Sequence, residues 1–140
     1  MKHDFQIGNY AHTYKDFKLD VPERFNWAYE VFDRWGEDPE KLAILWVGMN
    51  GKEREVTFGE LGERSRRVAS ALSGLGAKPG DCVFIILPRM VEWWELMLGC
   101  IRAQLVSVPG TTQLTAKDIK YRITVAEARI VITDIENLHK

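Results

Sequence analysis

Residues 87–94 read Leu-Pro-Arg-Met-Val-Glu-Trp-Trp, and residues 109–115 read Pro-Gly-Thr-Thr-Gln-Leu-Thr. Each run combines the end of a predicted strand, a short loop and the start of a predicted helix. In an open α/β sheet, ligands bind outside the carboxyl ends of the strands. The two loops therefore predict one edge of a ligand site.

The segments around these loops predict two consecutive parallel βαβ units. Residues 82–87 are apolar on both faces, which is typical of a strand that helices cover on both sides. A helix over 90–103 and a short strand over 105–108 complete the first unit, whose crossover is expected to be right-handed. A helix over 116–127 and a strand over 129–133 form the second unit.

The predicted helix over residues 90–103 carries its few polar positions on one narrow stripe. Glu92, Glu95, Gly99 and Arg102 follow each other in steps of three, four and three residues, and the other positions are apolar. Such a stripe is typical of a helix whose remaining circumference is buried. We therefore expect the stripe to face solvent, and Glu92 and Glu95 to take no part in acid–base catalysis.

Three further side chains near this helix have both a structural and a binding interpretation. Trp93 and Trp94 could stack on an aromatic ligand, but adjacent helical residues point about 100° apart and cannot form one face. Packing in the core is therefore favoured for both. Arg89, at the carboxyl end of a strand, could meet a phosphate or a carboxylate, but an ion pair with Glu92 is favoured.

The amino-terminal part of the chain predicts an arm followed by a helix. Residues 1–22 mix charges with scattered aromatic residues and read as an extended arm whose aromatic side chains pack against another part of the molecule. Beyond Pro22, apolar residues recur at the spacing of one buried helical face. The residues on this predicted face are Phe25, Ala28, Tyr29, Phe32 and Trp35.

A β-hairpin and a second helix are predicted next. Residues 42–47 and 54–57 read as two strands, and Asn50-Gly51 between them favours a tight turn because both residues can adopt positive φ. Thr57 and Glu60 form a capping box that starts the helix. Its predicted inward residues are Leu61, Val68, Leu72 and Leu75.

The composition indicates one domain without a strongly charged surface. The 140 residues are 46% hydrophobic, with 19 basic against 20 acidic side chains. This balance gives no general attraction to nucleic acid or to anionic lipid. No apolar run has the length of a membrane span or a signal peptide. We therefore expect a cytoplasmic protein without nucleic-acid partners and without a membrane span.

The cysteines, histidines and glycines form no recognisable metal or nucleophile motif. Cys82 and Cys100 lie 18 residues apart in apolar surroundings and read as core residues, with a disulfide between them left open. The three histidines have no partner at a useful spacing. Residues 74–80 are glycine-rich, but they follow a helix and precede a strand, the reverse of a phosphate loop.

The loop after the second parallel strand is the best candidate site. Gly110 allows a ligand or another backbone to approach closely, and Thr111 and Thr112 offer hydroxyl groups. Gln113 adds an amide that both donates and accepts hydrogen bonds. From the residues alone, an ordinary structural loop explains the same pattern equally well.

The order of motifs along the chain resembles the amino-terminal region of the medium-chain acyl-CoA synthetases, members of the AMP-binding, adenylate-forming superfamily. The resemblance runs from Val21 onward and rests on an ordered set of segments, which is more specific than any one of them. They are Pro22-Glu23-Arg24-Phe25-Asn26-Trp27-Ala28, Leu87-Pro88-Arg89 with Glu92-Trp93-Trp94, and residues 98–103, 109–113 and 118–122.

The resemblance implies an acid–thiol ligase of fatty acid metabolism. Similar enzymes use ATP, with Mg²⁺, to activate a carboxylic acid as an acyl-adenylate, and then transfer the acyl group to the thiol of CoA. In relatives, the glutamine of the Pro-Gly-Thr-x-Gln run lines the CoA side of the active site. Gln113 is therefore expected to contact CoA, with Gly110, Thr111 and Thr112 as further binding residues.

Two positions depart from the family pattern. Val91 stands where relatives usually have proline, which is preorganised for the first turn of a helix. Gln104 stands where relatives usually have glycine, just after a helix. If the left-handed helix cap is kept there, a residue other than glycine costs about 1–2 kcal/mol.

The resemblance also implies that the catalytic groups lie beyond Lys140. The family's phosphate loop with its lysine, its later nucleotide-binding segments and its carboxy-terminal domain all follow the matched region. We therefore expect no catalytic residue in these 140 residues, ATP and Mg²⁺ sites outside them, and no activity of the isolated chain. An uncovered apolar helix and an unpaired strand edge are expected to favour self-association.

These observations predict an α/β fold, a β-hairpin plus a parallel βαβαβ sheet flanked by helices, as part of the amino-terminal domain of an acyl-CoA synthetase. Residues 1–22 are the arm, and residues 23–140 are a partial α/β subdomain of an AMP-dependent synthetase. The alternative is a stand-alone α/β binding or interaction module. A reading frame that continues into a phosphate loop favours the enzyme, whereas a native stop codon after Lys140 favours the module.

Overall fold

A computed structural model describes residues 10–140. Helix α1 (Tyr10–Asp16) is followed by helix α2, which has a π-helical part (Ala28–Phe32) and an α-helical turn (Asp33–Trp35). Then come strands β1 (Leu42–Val47) and β2 (Glu53–Thr57) and helix α3 (Phe58–Gly74). The chain continues through β3 (Cys82–Ile86), α4 (Val91–Arg102), β4 (Val106–Gly110), α5 (Ala116–Val125) and β5 (Ile130–Thr133).

The predicted extended arm is wrong for residues 10–16, which form helix α1, whereas residues 17–22 form no helix or strand. The predictions for residues 1–9 lie outside the described residues. Tyr10 and Tyr14 stand one helical turn apart and stack with ring centroids 5.9 Å apart. Both remain 73% exposed, so these aromatic rings contact each other instead of a distant part of the chain.

The predicted hairpin is confirmed. Strands β1 and β2 pair antiparallel, and Gly51 in the turn has a φ of 74°, a conformation that glycine adopts without strain. The amide of Gly48 donates to the carbonyl of Lys52 across the turn, at 2.8 Å. Thr57 and Glu60 form the capping box at the start of α3 as predicted.

The parallel sheet is also confirmed, with the strand order β4-β3-β5. Strand β3 lies in the centre and is buried on both faces. Val83 and Ile85 pack towards α3 and α4, whereas Phe84 and Ile86 pack towards α5. The continuous apolar run of this strand therefore reflects two layers of helices around one sheet.

The predicted buried faces of two helices are only partly correct. In α2, Ala28 and Phe32 are buried, but the other three predicted residues of that face are exposed. The π-helical part changes the number of residues per turn, so side chains at α-helical spacing no longer share one face. In α3, Leu75 is 70% exposed because it is the residue that caps the end of the helix.

The solvent-facing stripe predicted for α4 is wrong. Glu95, Gly99 and Arg102 are buried against α3, and Glu92 is half-exposed. A Cβ atom on Gly99 would lie 2.4 Å from Cγ1 of Val68, so the missing side chain lets the two helices touch. The stripe is polar because it faces charged partners on neighbouring elements, not because it faces water.

Those partners form a charged seam, which we define as Asp33, Arg64, Ser65, Glu95 and Arg102. The guanidinium of Arg102 donates to both carboxylate oxygens of Asp33 and, at 2.7 Å, to the hydroxyl of Ser65. Arg64 Nη1 lies 3.1 Å from Oε1 of Glu95. Helix α4 is therefore tied to α2 and α3 by paired charges.

Three smaller expectations are settled by the same structure. Gln104 has a φ of 57°, so the left-handed cap is kept although the residue is not glycine. Cys82 and Cys100 are both free; Cys82 is partly exposed, whereas Cys100 is buried in the apolar core, and burial raises the pKa of its thiol to about 11. Within residues 10–140, no helix has the length and apolarity needed to cross a membrane.

Candidate functional site

A cavity of about 770 Å³ lies at the carboxyl ends of β3 and β4, beside the start of α4. We call it the strand-end cavity and define it by its lining: residues 87–90, Trp93, Trp94 and residues 109–112. Ile86 pairs with Gly110 in the sheet, so the two loops leave the sheet at the same level. The sequence prediction that these loops share one edge is therefore confirmed.

Trp93 and Trp94 form two walls of this cavity. Their rings meet edge to face, with centroids 4.7 Å apart and an interplanar angle of 82°. Trp93 is half-buried and packs against the apolar core, as predicted. Trp94 is 53% exposed, so core packing is the wrong interpretation for it. The two adjacent residues still border one cavity, with their rings edge to face.

The predicted ion pair between Arg89 and Glu92 is wrong. Glu92 Oε1 lies 3.3 Å from Nη1 of Arg54, which reaches it from strand β2. Met90 between them has an extended backbone, so Arg89 lies outside the helix and helical spacing does not apply to it. Arg89 is exposed, lines the cavity and has no ion pair within the described part of the chain, residues 10–140.

The polar loop after β4 divides into a lining part and a neighbouring part. Gly110, Thr111 and Thr112 line the cavity, whereas Gln113 is exposed beside it. The hydroxyl of Thr111 accepts a hydrogen bond from the backbone amide of Gln113 at 3.2 Å. A Cβ on Gly110 would lie 3.0 Å from the Phe84 ring, so the tight core contact explains a glycine here without any ligand.

Two further residues lie at this edge that the sequence patterns did not single out. Thr133 ends β5, pairs with Ile86 and has a buried hydroxyl without a hydrogen-bond partner among residues 10–140. Trp46, on β1, donates from its indole nitrogen to the carbonyl of Arg89 at 3.0 Å. Thr133 could have been found as the end of a third parallel strand. The Trp46 contact spans 43 residues and has no signal in the sequence pattern.

The chemical character of the cavity is that of a binding site. Its lining contains apolar and aromatic walls, two threonines and the guanidinium of Arg89, but no carboxylate. Such a lining favours an anionic compound with an apolar body, because one cation lies beside low-dielectric walls. The described residues, 10–140, contain no cluster of three or more His, Cys, Asp or Glu side chains that could hold a metal ion.

Comparison with known protein families gives one family model over most of the chain. Residues 31–140 match the model described as AMP-binding enzyme. Among curated proteins, the mitochondrial acyl-coenzyme A synthetase ACSM3 of Homo sapiens is 44% identical over 135 residues. The match covers 91% of this chain and 23% of that protein.

Solved structures show the same arrangement. An acyl-CoA synthetase of Brucella canis superposes with a TM-score of 0.83 at 26% identity, over 91% of this chain and 25% of that one. A benzoate CoA ligase of Burkholderia xenovorans gives a TM-score of 0.73 at 33% identity, over 83% of this chain and 23% of that one. The chain therefore spans about a quarter of the length of the proteins that it matches.

Proposed function

Because the chain belongs to the AMP-binding enzyme family, we propose that it forms the amino-terminal α/β part of an acyl-CoA synthetase. Such an enzyme converts a carboxylic acid, ATP and CoA into acyl-CoA, AMP and pyrophosphate. The observation that supports the proposal is the strand-end cavity, which occupies the place where open α/β sheets bind ligands. Similarity to enzymes whose names describe acyl-CoA synthetases and a CoA ligase agrees with it.

In this proposal the cavity residues bind and orient substrates. Gln113 contacts CoA from beside the cavity, and Gly110, Thr111 and Thr112 form the adjoining wall. ATP and Mg²⁺ are bound by other segments of the complete enzyme, as the family resemblance implies. The described part of this chain supplies a rigid sheet edge and no residue for the chemical step.

The proposal is tested with the protein encoded by the whole reading frame that contains these residues. We expect acid-dependent release of pyrophosphate from ATP, followed by thioester formation when CoA is added. The 140-residue chain, assayed in parallel, is expected to exchange no pyrophosphate with ATP for any fatty or aromatic acid. Thioester formation independent of ATP, or no adenylate with any medium-chain or aromatic acid, would contradict the proposal.

Self-association of the 140-residue chain stays a prediction. Of the two features from which the sequence predicted it, mainly the unpaired strand edges remain. Helix α4 is covered by α2, α3 and the hairpin, so it offers little free apolar surface apart from Trp94 and Ile101. The exposed apolar side chains of the outer strands, Val106 on β4 and Val131 on β5, still favour pairing between copies. Sedimentation at low micromolar concentration tests this, and a clean monomer would favour a stand-alone module.

The compartment is a separate proposal. The sequence predicts a cytoplasmic protein, whereas the name of the human relative includes the word mitochondrial. We propose that the targeting information of the complete protein determines its compartment. Fluorescence microscopy of the complete tagged protein identifies that compartment. Signal confined to mitochondria would overturn the cytoplasmic expectation.

A further inference from the structure

The β1–β2 hairpin holds the loop that carries Arg89 from two sides. From β1, the indole nitrogen of Trp46 donates to the backbone carbonyl of Arg89 at 3.0 Å. From β2, Arg54 lies 3.3 Å from Glu92 at the start of α4, immediately after the loop. The backbone carbonyl of Arg89 and the first turn of α4 just after it are therefore held by a hairpin that does not itself line the cavity.

Arg89 is the cationic side chain of the cavity lining, and outside the lining Lys140 donates to the backbone carbonyl of Thr112. Arg54 is paired with Glu92, and Glu95 is paired with Arg64 in the seam. Arg89 has no ion pair within residues 10–140 and lines a cavity without a carboxylate. An arginine left without a partner beside apolar walls is suited to recognise a carboxylate or a phosphate.

We propose that Arg89 recognises the anionic group of a substrate in the strand-end cavity and that Trp46 is the positioning residue for Arg89. The proposal rests on the proposed function, since it names the side chain that binds the carboxylate of the acid or a phosphate of CoA. A carboxylate and a phosphate share the chemistry that a guanidinium binds. Two anionic probes therefore distinguish the source of the anion.

The test is calorimetric titration of the 140-residue chain with benzoate and with CoA, using benzyl alcohol and pantetheine as the matched neutral probes. We expect Arg89→Gln to raise the Kd for one anionic probe by about 10- to 100-fold, the range for a hydrogen-bonded charge, and to leave the neutral probes unchanged. Arg89→Lys restores part of the affinity. Arg24→Gln, an exposed arginine outside the cavity lining, is the control and should change nothing.

The role of Trp46 is tested in a double-mutant cycle. Trp46→Phe keeps an aromatic ring, smaller than the indole, and removes the N–H donor, so we expect the Kd for the anionic probe to rise about threefold in the wild-type background. In the Arg89→Gln background the same change should have no effect, because the group it positions is gone. If Trp46→Phe does not fold, Gly48→Ala replaces it, since a Cβ there would lie 2.8 Å from the Trp46 ring and displace it.

Three results would overturn this proposal. They are the absence of measurable binding of both anionic probes, equal effects of Arg89→Gln on charged and neutral probes, and an equal effect of Trp46→Phe in both backgrounds. Weaker binding of benzoate alone identifies the carboxylate as the anion, and weaker binding of CoA alone identifies the phosphate. The proposed function is judged separately by thioester formation in the complete protein, so one can fail while the other stands.

Discussion

Helix α4 connects two regions in which charged side chains have opposite environments, buried and paired in one, exposed and unpaired in the other. Along its length, the charged seam buries Glu95 and Arg102 and pairs both with partners on α2 and α3. At its amino-terminal end, the strand-end cavity leaves Arg89 without an ion pair in the described chain and Trp94 exposed. The paired side chains of the seam stabilise the fold, whereas the unpaired guanidinium of Arg89 lies at the candidate site.

The difference follows from the cost of burying charge. The Arg102 side chain is 0% exposed, and such a charge is tolerated only with a partner and further hydrogen bonds. Asp33 and Ser65 provide both, and the ring of Tyr29 lies 5.0 Å from the guanidinium carbon. Arg89 is exposed, so it does not require such a partner and remains accessible to a ligand.

The largest expected effect comes from breaking the seam. Asp33→Ala leaves the fully buried Arg102 without its carboxylate, and we expect the free energy of unfolding to fall by about 3–5 kcal/mol. Urea denaturation followed by circular dichroism measures the loss. Binding of the anionic probes to the surviving folded fraction should not change, because Asp33 does not line the cavity.

Two variants serve as controls for this loss. Glu63→Ala removes the partner of Arg67 in an exposed pair within α3 and should change stability by less than about 1 kcal/mol. The double variant Asp33→Leu with Arg102→Met replaces the pair by apolar side chains and should recover most of the stability. A loss of equal size in Glu63→Ala would show that burial is not the cause.

The second expected effect tests the contact that brings the seam together. Gly99→Ala would place a Cβ 2.4 Å from Val68, and overpacking of this kind costs about 1–3 kcal/mol. The double variant with Val68→Ala should recover part of the loss, because the smaller side chain makes room. Gly74→Ala is the matched control, since nothing lies within 4 Å of its added Cβ. Equal destabilisation by both alanines would contradict the close-approach explanation.

The sequence predicts one side of this comparison better than the other. The continuous apolar run over 82–87, the period-3.6 patterns, the Asn50-Gly51 turn and the capping box of Thr57 and Glu60 are local, and they predicted the hairpin and the parallel sheet. A helical stripe of charges has the same spacing whether it faces water or a charged neighbouring helix. The burial of Glu95 and Arg102 therefore depends on Arg64 and Asp33, which only the folded chain brings near.

The candidate site shows the same division. The loops at residues 87–90 and 109–112 were predicted to share an edge because strand ends are local features. The partner of Glu92 was predicted wrongly because Arg54 lies 38 residues away in the chain. The contact of Trp46 with the Arg89 carbonyl was missed for the same reason. Local sequence patterns therefore predict where the candidate site lies. Contacts between residues far apart in the chain determine which of its charged groups lack an ion pair.

The third expected effect is a pH dependence confined to the seam. The hydrogen bond from Arg102, together with its charge and that of Arg66, holds the pKa of the Asp33 carboxyl below its ordinary value of 3.8. A group with a lowered folded pKa stabilises the protein above its unfolded pKa and loses that contribution as the pH falls through the folded pKa. The stability gap between wild type and Asp33→Ala should therefore be constant from pH 7 to about pH 5 and shrink below about pH 4. Chemical denaturation at several pH values measures the gap, and a gap that stays constant down to pH 3 would contradict the pairing.

The smallest expected effect lies at the site end and should leave stability untouched. Gln113 is exposed beside the cavity, so Gln113→Ala should not change the unfolding midpoint of the chain. In the complete enzyme, the loss of one neutral hydrogen bond to CoA should cost about 0.5–1.5 kcal/mol, which raises the apparent KM for CoA by about two- to tenfold. Adenylate formation, followed by pyrophosphate exchange, should remain nearly intact because CoA takes no part in that step. Thr111→Val removes the hydroxyl that accepts a hydrogen bond from the backbone amide of Gln113. This variant tests whether the loop conformation contributes to the KM for CoA. An equal loss in the adenylation half-reaction with unchanged saturation by CoA would refute the role of Gln113. A loss of folding stability would show that Gln113 stabilises the fold instead of binding CoA.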